Sequence, residues 1–112
     1  MYLTNKKLIL TIGGSKMIKL TYTEEMKEQD NLWNEGNEDF NIMARLYNEI
    51  IEEAKTKGFN GYACIYDGGQ EKLCTIYKNE EEQELAKLGK VEVEDVGYCK
   101  PLIHKLENIL NQ

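Results

Sequence analysis

GYACIYDGGQEKLCTIY, residues 61–77, is the stretch whose reading decides the fold. Residues 61–66 and 72–77 are short, apolar and rich in tyrosine, and they flank Asp67-Gly68-Gly69-Gln70. A two-residue Gly68-Gly69 turn has the twist that paired strands need, so the segment predicts an antiparallel β-hairpin. Side chains alternate across a strand, which puts Tyr62, Cys64, Tyr66, Leu73, Thr75 and Tyr77 on one face and Ala63, Ile65, Cys74 and Ile76 on the other. A five-residue loop would slip the register and set Cys64 opposite Cys74.

Upstream of the hairpin, Phe40, Met43, Leu46, Tyr47, Ile50, Ile51 and Ala54 recur at steps of three and four, the period of a helix with one apolar face. Asn37 is placed to cap it, Lys55 and Lys57 suit the negative end of its dipole, and Gly58 suits a left-handed stop. A shorter helix is expected before it. Thr23 precedes Glu24 and Glu25 as an N-cap followed by first-turn acids, and Asn34-Glu35-Gly36 ends the run after Trp33. Residues 6–12 and 16–22, separated by Gly13-Gly14-Ser15, read as a further hairpin.

Downstream, Asn79-Glu80-Glu81-Glu82 opens a third helix in the manner of a capping box, with Gly89 as its end. Val91, Val93 and Val96 alternate with acids as an edge strand. Pro101 fits a first helical position, and Leu102, Ile103, Leu106, Ile109 and Leu110 form the apolar side of a terminal helix. The expected fold is α+β: antiparallel β-hairpins packed against amphipathic helices, in a single compact domain over residues 1–112. With 41% apolar and 30% charged residues, the chain has the composition of an ordinary globular domain.

Charge is distributed unevenly. Residues 24–53 carry ten Asp or Glu against Lys27 and Arg45, and residues 79–95 carry seven against Lys87 and Lys90. The rest of the chain has ten Lys and three acids, so the net charge of −6 conceals a polarised molecule. Such a field governs which partners are met and how fast. The size, the clustered acid and the lack of a catalytic motif point to a non-catalytic acidic binding protein that occupies a basic surface of a nucleic-acid-handling protein. A phage-type inhibitor, an anti-defence protein and a DNA mimic belong to this class. Thirteen Lys against one Arg, abundant Asn and a single proline fit an AT-rich bacterial or phage genome. The residues expected to carry the interaction are Glu38, Glu49, Glu52, Glu53, Glu80, Glu81 and Glu84. Direct nucleic-acid binding is not expected, because the aromatic residues lack a basic groove.

Two other classes are consistent with the residues. Tyr62, Tyr66 and Tyr77 with Lys72 could enclose a nucleotide or metabolite in a module assembled as a homo-oligomer, since tyrosine supplies rigid apolar area with a polar tip. An enzyme would use Cys99 and His104, an imidazole being able to draw a thiol toward thiolate. His104 sits beside Ile103 on an amphipathic helix, where a partly buried structural histidine is the simpler role. Cys64, Cys74 and Cys99 are odd in number and lack CxxC spacing, so neither a disulfide nor a Cys3His zinc site is expected, and no cofactor. The glycine pairs lie between strands rather than between strand and helix, as turns do and phosphate loops do not. Residues 8–12 are the longest apolar run near the start, too short for a signal sequence or a membrane span, so the expected compartment is the cytoplasm.

Overall fold

A computed structural model describes residues 17–66 and 73–112 of the chain. The described elements are four helices, α1 (Glu24–Glu35), α2 (Phe40–Thr56), α3 (Glu80–Lys87) and α4 (Cys99–Leu110), and three strands, β1 (Tyr62–Ile65), β2 (Cys74–Tyr77) and β3 (Asp95–Val96). The strands form one antiparallel sheet in the order β1-β2-β3. The fold is α+β.

The apolar stripe of α2 is the centre of the core. Met43, Leu46, Tyr47, Ile50, Ile51 and Ala54 are all buried, and they meet Cys99, Leu102, Ile103 and Leu106 of α4 and Cys74 and Ile76 of β2. Burying each large aliphatic side chain contributes about 2 kcal/mol, which makes the α2–α4 contact the main apolar source of stability. Phe40, at the start of the stripe, is only half-buried. The cap of α2 is Asp39 rather than Asn37: its carboxylate accepts from the main-chain N–H groups of Asn41 at 2.9 Å and Ile42 at 3.0 Å. Asn and Asp cap equally well; Asp39 takes the role because it immediately precedes the first helical residue, Phe40, where its side chain reaches the N–H groups two and three residues on.

The hairpin forms with the faces expected and a different register. Tyr62 lies opposite Tyr77, Ala63 opposite Ile76, Cys64 opposite Thr75 and Ile65 opposite Cys74. A two-residue Gly68-Gly69 turn would set Tyr62 opposite Thr75. A shift of two keeps every side chain on its face, because the pleat has period two. The tip of the hairpin, Lys72 included, lies outside the described residues. β2 is the central strand, and its Cys74, Thr75 and Ile76 are all buried.

The first hairpin falls largely outside the described residues, and its described portion is not a strand. Met17 to Tyr22 runs irregularly, with its main chain satisfied by side chains. Asn111 accepts from the Ile18 N–H at 2.7 Å and donates to the Ile18 carbonyl at 3.0 Å, and Glu107 accepts from the Leu20 N–H at 2.8 Å. Each is a bond a neighbouring strand would otherwise supply. The expected valine strand shrinks to Asp95–Val96, with Val91 and Val93 outside it.

Thr23 caps α1 as expected, its hydroxyl accepting from the Met26 N–H at 3.1 Å, and Gly36 closes the helix at φ 77°. α1 buries two polar residues beside Met26. Gln29 accepts from the Asp39 N–H at 3.0 Å, and Asp30 accepts from the N–H groups of Cys99 at 2.7 Å and Lys100 at 3.1 Å. The carboxylate of α1 is thus the N-terminal cap of α4. Tyr98, in the N-cap position, makes no side-chain cap bond. Pro101 is the third helical residue rather than the first; having no N–H, it leaves only the donors that Asp30 takes. Tyr98 instead packs on Trp33, ring centroids 5.4 Å apart, and a side chain at Gly97 would collide with the Trp33 ring.

Candidate functional site

The acids expected to form one binding surface divide into two groups in the fold. α1 and α2 pack on each other, and Arg45 joins them. Its guanidinium donates to Glu25 of α1 and, at 2.7 Å, to Glu49 of α2. All three side chains are about half exposed, at 48%, 46% and 49%, so the bridge lies on the surface and puts the acids of both helices on one side of the molecule. Hydrogen bonds to the two carboxylates raise the Arg45 pKa further, and the residue stays cationic. Glu28 of α1 and Glu52 of α2 extend the same face, Glu52 standing 3.5 Å from Lys55. α3, by contrast, packs on β2. Glu80, Glu81 and Glu84 are exposed there, and among the described residues no ion pair links them to α1 or α2.

Two of the expected contact residues have other surroundings. Glu53 accepts from the Thr21 N–H and hydroxyl, both at 3.0 Å, and from the Lys57 ammonium at 3.0 Å. Desolvation pushes its carboxyl up, but the bonds from Thr21 and Lys57 outweigh it and hold the carboxyl below its ordinary value. Glu53 therefore anchors the segment before α1, and is not a solvent-facing contact. Glu38 is half-buried at the start of α2.

Tyr62 and Tyr66 are 42% and 43% exposed, on the sheet face they share with Cys64, and Tyr77 is half-buried. A groove of about 620 Å³ beside β1 takes in Tyr62 but neither Tyr66 nor Tyr77, so the three rings do not enclose one cavity.

Cys99 and His104 are not brought together for catalysis. Cys99 is fully buried, and burial first, then the Asp30 charge, pushes its thiol up, away from the thiolate. His104 is exposed rather than partly buried, five residues on along α4 and on a different side of the helix. Cys74 is likewise pushed up to about 12, mainly by burial, and Cys64 is exposed. Among the described residues no three His, Cys, Asp or Glu side chains gather as a metal site.

A second groove, of about 670 Å³, was not legible as a site in the sequence. Val93, Val96, Pro101 and Ile109 give it apolar surface, and Lys78, His104 and Lys105 stand on it together with Glu82, Glu92 and Glu94. Its residues come from four separate parts of the chain. The local signals were two i, i+4, i+8 rows on α4, Lys100, His104 and Asn108 beside Pro101, Lys105 and Ile109.

The chain matches no protein-family model, no curated protein and no solved structure. Among the described residues no helix is long and apolar enough to cross a membrane.

Proposed function

We propose that the protein is a non-catalytic binding protein that uses the acidic face of α1 and α2 to occupy a basic surface on a nucleic-acid-handling protein of the cytoplasm. The observation that carries this reading is the Arg45 bridge between Glu25 and Glu49, which gathers the acids of two helices on one exposed side. The fixed carboxylates offer a partner rich in Lys and Arg a complementary field, which speeds encounter and discriminates against acidic surfaces. An inhibitor of phage type that competes with nucleic acid fits this chemistry. The α3 acids, on a separate element, add to the long-range field rather than to the contact.

The test is capture from a cell extract on the immobilised chain, compared with Glu28→Lys, Glu49→Lys and Glu52→Lys combined. Retained proteins should include a basic nucleic-acid-handling protein, released by moderate salt and lost with the triple variant. Retention indifferent to both salt and charge reversal would contradict the reading.

A second reading rests on the groove of about 670 Å³, whose apolar surface and mixed Lys, His and Glu rim suit a small ligand with an apolar body and charged ends. A rise in melting temperature with a member of a nucleotide and metabolite panel, removed by His104→Ala, would support it. No shift with any member would count against it.

A further inference from the structure

Among the described residues β1 is an edge strand: it pairs with β2 on one side only. Tyr66 donates its N–H to the Leu73 carbonyl at 2.8 Å, which fixes the phase of the ladder. Hydrogen-bonded pairs alternate along an antiparallel ladder, so Tyr62, Cys64 and Tyr66 turn their main chain toward β2, and Ala63 and Ile65 turn theirs outward. Edge strands that remain single are ordinarily blunted by lysine, proline or a bulge. β1 reads Tyr-Ala-Cys-Ile, with no charge and no proline.

We infer that the outer edge of β1 is a homodimer interface, on which a second copy of this chain lays its own β1 antiparallel about a two-fold axis. One register uses every outward group: Ala63 of each copy opposite Ile65 of the other, with Cys64 facing Cys64 on the axis. The same register sets Tyr62 against Tyr66 of the other copy, twice. Those two residues are among the large hydrophobic side chains that the single chain leaves exposed, and cross-strand aromatic pairing would cover them. Charge is compatible with self-association. The strands are neutral, and the flank of α2 lining the groove beside β1 carries Glu52 and Lys55, so two copies meet there with both signs available to each. Arg45 and Glu49 do not line this groove, so the dimer leaves the Arg45 bridge open and presents it twice, with Glu52 at the boundary between the two surfaces.

Sedimentation of the full chain under reducing conditions should show twice the 13.0 kDa chain mass at high concentration, dissociating on dilution over roughly three decades. Diamide should then join the copies through Cys64, because directly opposed residues of a non-hydrogen-bonded pair stand about 4.5 Å apart at Cα, within disulfide reach. Cys64→Ser should keep the dimer and lose the cross-link. Cys64→Glu places like charges face to face on an exposed position, and should yield a folded monomer with unchanged circular dichroism. Ala63→Pro removes an outward donor without touching the β1–β2 bonds, and should weaken the dimer at least tenfold. A monomer at all concentrations, a dimer indifferent to Cys64→Glu, or a dimer that diamide cannot join through Cys64 would overturn the inference.

Discussion

Asp30 sits in α1, yet its carboxylate takes the first two main-chain donors of α4, 69 and 70 residues away, and accepts the Tyr22 hydroxyl at 2.8 Å. Burial and then the Asp30 hydrogen bond push the Tyr22 phenol up, which keeps it a donor. Asp30→Ala strands two helix N–H groups and should cost roughly 3 kcal/mol, readable as a lower denaturant midpoint with an unchanged slope. Tyr22→Phe should cost about 1 kcal/mol. Glu53 gives a prediction in pH. Its folded carboxyl is depressed, so its contribution is present above the ordinary glutamate range and is lost as pH falls through the folded value. Glu53→Gln should therefore melt lower than the wild type near neutrality, with the gap closing below about pH 4. Neither role was legible in the sequence. Asp30 and Glu53 each look like one more acid in an acidic stretch, and their partners are distant along the chain.

Among the elements, those set by local pattern were legible. The apolar stripe of α2 spans more than four turns, enough repeats for its phase to be read without ambiguity, and Thr23 and Asn79 mark their helix starts through side chains three residues from the donors they satisfy. The hairpin faces follow from parity alone, and so survived a register two residues off. What failed was decided by tertiary contact: Met17 to Tyr22 finds side chains of α2 and α4 where a strand partner was expected, and α4 starts two residues before Pro101 because α1 brings a carboxylate to its end. Leu46→Asp puts a charge without a partner into the centre of the α2–α4 core and should abolish cooperative folding. Glu49→Lys exchanges an exposed, solvent-screened pair with Arg45 for a like-charge neighbour, and should leave cooperative folding intact with only a small change in melting. Equal, small changes in melting for both would show that the helix phase is misassigned.

At the scale of the whole molecule, the sequence showed that charge is polarised but not how it is arranged in space. Of the acids of residues 24–53, Glu25 and Glu49 meet through Arg45, whereas Asp30, Asp39 and Glu53 are taken up by main-chain donors, and the acids of residues 79–95 stand on α3 and the segment after it. The exposed side of α4 differs in character, its Lys100 and Lys105 facing a groove shared with Lys78 and with Glu82, Glu92 and Glu94. On the proposed function, association is driven by electrostatics, and its rate is the sensitive quantity. The most direct measurement is therefore the association rate with the captured partner as a function of salt, for the wild type, the Glu28→Lys, Glu49→Lys, Glu52→Lys variant and His104→Ala. The account predicts a rate that falls at least tenfold from low to moderate ionic strength in the wild type, a similar loss at low salt in the triple variant, and a wild-type rate in His104→Ala. A triple variant that stays folded and binds at the wild-type rate, while His104→Ala abolishes binding without lowering the melting temperature, would contradict it.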